Sequence, residues 1–278
     1  MNKKDLNQNL DVNPFCKIVY NSPEHEEEWK SKIQKARGLF NKLEYLTVKD
    51  KKRKCATLHI SPQNYDKTIE RIMEDGLVWL PIQRTKTYKG FSHKHFPTNT
   101  IDKNTIVYGV LSYDIEYARQ FKIASERPVD HKKIGELLGF PTCCGHFFDD
   151  AFNTFFDPMY QIAENSDIIS EEENTIKAKV HFTSTPLLRY VGFRIISHLP
   201  CSLSCEGTKK VSKNIWIPTA KKHYPLAYKY LKQILTLPGE WSVLHGVAKI
   251  TTEPFTIIAN SLPTKEEFKI KWDEVKED

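Results

Sequence analysis

The stretch SPQNYDKTIERIMEDGLVWLPI, residues 61–82, sets the class of fold. Ser61 is a capping residue, and Pro62 suits the first position of a helix, where no N–H is needed. Gly76 ends that helix, and Val78–Ile82 follows as a β-rich run. Working outward, Ala56–Ile60 and Thr105–Leu111 read as strands, and Ser112 is placed to cap a helix reaching Ser125. Upstream, Asn21 to about Leu43 reads as a helix. Its acidic residues (Glu24, Glu26, Glu27, Glu28) come early and its basic ones late, which suits the helix dipole. Glu44–Val48 reads as a short strand, and residues 84–104 as an irregular loop. Alternating strand and helix predicts a small N-terminal α/β unit over residues 13–127, behind a polar, disordered lead-in at 1–12.

Residues 128–278 have a different texture. Asp130 caps a short helix ending at Gly139, and Pro141-Thr142 starts another, rich in phenylalanine. Residues 164–178 are acidic and read as a surface connection or short helix. Leu187, Leu188, Val191, Ile195 and Ile196 share one helical face, Pro200 opens a further helix, and 221–236 carries apolar residues at helical spacing. Two β-rich runs lie between Val243 and about Ala259, and the tail from Lys265 reads as a surface helix. The expected class is α+β: the N-terminal unit, then a mainly helical Cys/His-bearing domain over 128–278 ending in a C-terminal β hairpin.

The 278 residues allow one large domain or two small ones. No stretch approaches the roughly 20 continuous apolar residues of a membrane span. The opening MNKKDLNQNLDVNPF has no apolar run, so a cytoplasmic protein is expected. Six cysteines are too few for a disulfide scaffold, and in a reducing compartment a cysteine cluster points to metal or catalysis. The net charge of +6 is concentrated in Lys51, Lys52, Arg53 and Lys54 and in the Lys209–Lys232 segment. Such runs attract nucleic acid or an anionic small molecule, or form a solvated face.

The chemistry-bearing residues gather in two strings. In His198-Leu199-Pro200-Cys201-Ser202-Leu203-Ser204-Cys205, proline at a helix start puts both thiols on one helical face, with His198 in the approach. Helix N-termini favour thiolate, the metal-binding form. In Gly139-Phe140-Pro141-Thr142-Cys143-Cys144 the two thiols fall at the first helical positions. Successive helical residues diverge by about 100°, which lets one ligate while the other packs or assists, unless the backbone there is irregular. Cys143, Cys144, His198, Cys201 and Cys205 are thus the candidate ligands, and the count suits zinc or an iron–sulfur cluster.

These strings, with Glu240-Trp241-Ser242 and His245-Gly246, resemble an uncharacterised prokaryotic family. That family pairs a GYPxCC string with an HxPCSxxC string. The resemblance spans about residues 105–260, with Phe140 and Thr142 where the family pattern has tyrosine and an acidic residue. It supports the site and implies no reaction.

Arg189 is a candidate anion clamp, and Glu240 and His245 are candidate acid/base groups. No phosphate-cradling loop, nucleophile elbow or dinucleotide fingerprint occurs. The leading expectation is a metal- or iron–sulfur-dependent enzyme acting on a small anionic or nucleobase-like molecule. The rivals are a metal-stapled nucleic-acid-binding module and a thiol redox or sulfur-transfer protein.

Overall fold

A computed structural model describes residues 16–87, 95–97, 105–151 and 158–276. The expected lead-in at 1–12 lies outside them. The fold is α+β, built on two sheets with helices packed against them.

The smaller sheet holds β2 (Cys55–Ile60), β3 (Val78–Thr87), β4 (His95–Pro97) and β5 (Thr105–Ser112), in the order β2-β5-β3-β4. All its pairings are antiparallel. Neighbouring residues of a strand face opposite sides, and here both sides are covered. Leu111 packs with Val48 and Ile72 on one side, and Val110 packs with Phe121 and Leu137 on the other. Those side chains come from α2 (Leu39–Lys49) and α3 (Tyr65–Glu74), and from α4 (Ile115–Ala124) and α5 (His131–Leu137). Gly76 closes α3 with φ +68°, and Asp130 caps α5 by accepting a hydrogen bond from the Lys133 N–H, both as expected. The cap of α4 is Asp114, two residues after Ser112. The stretch 84–104 is not all loop, because β3 runs on to Thr87 and pairs with β4.

The larger sheet has seven strands in the order β1-β11-β10-β9-β12-β7-β6. These are β1 (Cys16–Tyr20), β6 (Ile168–Glu172), β7 (Thr175–Ala178), β9 (Gly239–Leu244), β10 (Val247–Thr252), β11 (Phe255–Asn260) and β12 (Phe268–Trp272). Its core draws on α1 (Pro23–Ala36), α7 (Pro158–Glu164), α9 (Ile217–His223) and α10 (Pro225–Leu235), and on residues 182–203. A two-stranded pairing of β8 (Val180–His181) with β13 (Val275–Lys276) lies beside it.

Several expectations are corrected. The helix from Asn21 breaks at Gly38 (φ +78°), and α2 takes up Glu44–Val48 as helix, because Leu43, Thr47 and Val48 fall on its buried face. Residues 168–178 form the β6–β7 hairpin, turning at Asn174 with φ +56°. The apolar residues of 186–199 are buried on all sides in a largely irregular segment with one 3-10 turn, Arg189–Val191, so a helix-like pattern arose without a helix. The charged tail forms β12, pairing β9 and β7. The expected C-terminal strands are present: β9, β10 and β11 pair in turn as antiparallel hairpins within the large sheet. The sequence unit 13–127 is shared between the two sheets, since β1 pairs with β11 and α1 packs on α10.

Candidate metal centre

The site lies where the two halves of the fold meet. Gly139 (φ +70°) ends the turn after α5, and Pro141 leads into α6 (Thr142–Ala151). The Pro141 carbonyl accepts hydrogen bonds from the Cys144 and Gly145 N–H groups, which places both cysteines in the first turn. On the other side Pro200 does not open a helix. Cys201–Ser204 form turns, and Cys205 is itself the cap of α8 (Glu206–Val211). The Thr208 N–H donates to Cys205 Sγ at 3.4 Å. Leu203 is fully buried in the core of the large sheet and anchors the turn.

The four sulfurs converge. Cys205 Sγ is 3.7 Å from Cys143, 3.6 Å from Cys144 and 3.5 Å from Cys201, and Cys143 is 3.9 Å from Cys144. All four lie within 4.8 Å of one another, a group that could hold a metal ion. Both members of the vicinal pair reach it: they fan around Cys205, Cys144 buried and Cys143 exposed. The thiols are strongly inequivalent. Cys205 is held down at about 4 because it accepts from Cys144, and Thr208 and Cys201 add hydrogen bonds to it. Cys144, hydrogen-bonded to that thiolate and buried, is pushed far up. Cys201 is raised to about 12 by burial and by Cys205.

His198 stands one layer behind the sulfurs. Its Nε2 is 2.9 Å from Thr208 Oγ1, and that oxygen is 3.4 Å from Cys144 Sγ. Burial, with Arg53 and Arg189 nearby, lowers its pKa to about 3, so the ring is neutral. Thr208 has a single hydroxyl proton. When that proton points at a Cys144 thiolate, Thr208 must accept from His198, which fixes the proton on Nε2. His198 thereby orients the Thr208 hydroxyl that contacts Cys144. Behind it, Arg53 is buried: it pairs with Glu44 at 3.2 Å, donates to the Leu138 carbonyl at 2.9 Å and stacks on Trp216. Thr208 and Arg53 were not singled out by sequence reasoning. Thr208 carried no signal, and Arg53 was hidden in a lysine run.

The candidate acid/base set does not assemble. Glu240 pairs with Lys271 at 3.5 Å, while Trp241, one residue on, is buried on the opposite face of β9, donating to Tyr190 Oη at 3.0 Å. His245 is exposed in the β9–β10 turn (φ +50°) and bonds the Thr264 carbonyl. Arg189 alone is near the site, through its field on His198.

A cavity of about 480 Å³ opens beside the thiols, lined by Cys143, Phe147, Asp150, Gln161, Glu164, Asn165 and Cys201. Burial and the Glu171 charge raise the pKa of Glu164. No family model matches the chain, and no curated protein or solved structure matches it either. Among the described residues no helix is long and apolar enough to cross a membrane.

Proposed function

We propose that the four cysteines hold one tetrahedral zinc ion, and that the protein is a metal-stapled binding module. The sulfur spacing carries this reading. Thiolates about 2.3 Å from a tetrahedral ion stand about 3.8 Å apart; four of the six sulfur–sulfur separations run from 3.5 to 3.9 Å, and all six lie within 4.8 Å. A cubane cluster binds each cysteine through a different iron and spreads the sulfurs much farther. Four thiolates also saturate zinc, the pattern of closed structural sites. The ion would then join the α6 turn, which belongs with the smaller sheet, to the 201–205 turn, which belongs with the larger. Cys205, whose pKa its hydrogen bonds lower, lies within 3.7 Å of the other three sulfurs, and Thr208 and His198 hold the hydrogen bonds around it.

An enzymatic reading has one observation in its favour: exposed Cys143 lines the cavity. Chemistry there would belong to the thiolate, because no coordination position is left for water. The cavity's carboxylates, Asp150 and Glu164, suit a cationic molecule rather than the anionic one expected from Arg189. Purified protein should contain one zinc per chain, and Cys205→Ser should abolish it. An enzyme would lose activity with Cys143→Ser while keeping most of its stability, whereas a staple would lose stability.

A further inference from the structure

The basic run of residues 51–54 and the distant Lys209–Lys232 segment meet in the fold, but only in part. Lys52 Nζ donates to Thr219 Oγ1 at 3.1 Å, which ties the loop after α2 to α9. Lys222 lies 3.3 Å from Asp50. Lys42 sits 4.7 Å over the Tyr224 ring and Lys221 5.8 Å over Tyr228, while Lys51 caps Tyr113 at 5.9 Å. Lys42, Lys51, Lys52, Lys221 and Lys222 thus share one surface built from α2, its following loop and α9. The carboxylate among them, Asp50, has a side chain only 14% exposed and is held by Lys222 and His223. Lys42, Lys51, Lys221 and Lys222 are exposed on this surface, while Lys52 is half-buried against Thr219.

Two other lysines of the expected segment are placed differently. Lys209 is paired with Glu206, and Lys232 lies over Phe182 of the large-sheet core.

We propose that this face docks a nucleic acid through its phosphate backbone; the proposal rests on the reading of the protein as a binding module. A row of lysines with a buried counter-charge attracts a polyanion at long range. Lysine is a point charge that contacts phosphates without reading bases, so little sequence preference is expected. A bilayer fits less well: among the residues whose burial is described, no phenylalanine or tryptophan is exposed to enter one.

The test is a titration of the full zinc-loaded chain with a fluorescent RNA hairpin of arbitrary sequence over a range of salt concentrations. Binding should weaken steeply with salt. Replacing Lys42, Lys51, Lys221 and Lys222 with glutamine should weaken it at least tenfold and flatten the log–log salt slope by roughly three. Replacing four lysines elsewhere (Lys17, Lys179, Lys249 and Lys265) should change it far less. Equal loss in both variants, no binding at all, or capture by phosphatidylserine vesicles in place of RNA would overturn the proposal. Zinc content measured on the same samples separates the two readings. Zinc without RNA binding sinks only the partner, and RNA binding without zinc sinks only the staple.

Discussion

Cys144 and Cys205 are 61 residues apart in the chain, yet their sulfurs lie 3.6 Å apart. Cys144 enters from α6, which packs on α5 beside the smaller sheet. Cys205 enters from a turn anchored in the core of the larger sheet through Leu203. A bond through a metal at this point closes a long loop, and structural zinc contributes its binding energy directly to folding.

The groups behind the sulfurs should tune that binding. Thr208→Val removes the hydroxyl that touches both Cys144 and His198 while keeping its volume. Zinc affinity, measured by competition with a chromophoric chelator, should fall about 10- to 100-fold. Unchanged affinity would mean that the Thr208 contacts are packing only.

Gly207 faces the same site from α8. A Cβ there would lie 2.8 Å from Pro141 Cβ and 3.2 Å from Cys143 Sγ. Gly207→Ala should therefore force α6 and α8 apart, at a cost of about 1–3 kcal/mol. The expected reading is weaker zinc retention in the chelator assay. Retention equal to the parent protein would show that the two helices adjust freely.

Arg53 depends on Glu44. The guanidinium is 1% exposed and Glu44 is its carboxylate partner. Glu44→Ala leaves a buried charge unpaired, which costs about 3–5 kcal/mol. Urea unfolding of the zinc-loaded protein should show this as a large drop in midpoint, and a loss below about 1 kcal/mol would contradict the pairing.

Acid should destabilise the fold through His198. Its pKa falls from the ordinary 6.5 to about 3 on folding. Between those values the unfolded chain binds a proton that the folded one does not. Stability is therefore complete above pH 6.5 and is lost as pH falls towards 3, at up to about 1.4 kcal/mol per pH unit. His198→Gln should show a shallower loss between pH 6 and 4 in urea unfolding; parallel curves for the two proteins would contradict a buried neutral imidazole.

Much of the smaller sheet was legible because its punctuation is local: Gly76 and Asp130 act within a few residues of themselves, although Pro62 opens only a 3-10 turn before α3 and Ser61 does not cap it through its side chain. Of the large sheet, only the C-terminal strands between Val243 and Ala259 were legible. Its strand β1 comes from the N-terminus and pairs with β11, and β12 reads as a charged surface because its alternate residues, Ile270 and Trp272, are the only ones it buries. The cysteines could be grouped from type and spacing, since few other arrangements use four thiols in two short strings. Their geometry could not, because Pro200 promised a helix and the chain makes turns that bring Cys205 to a helix cap. Glu240 and His245 misled for a related reason. Closeness in sequence does not become closeness in space when a strand sends neighbours to opposite faces and its end turns to solvent.

The most direct test of the account is the metal content and sulfide content of protein purified without oxygen, followed by cobalt substitution. One zinc per chain with no acid-labile sulfide, and an intense tetrahedral thiolate spectrum on replacement with cobalt, is the expected result. Iron with stoichiometric sulfide, or no bound metal with four freely titrating thiols, would contradict it.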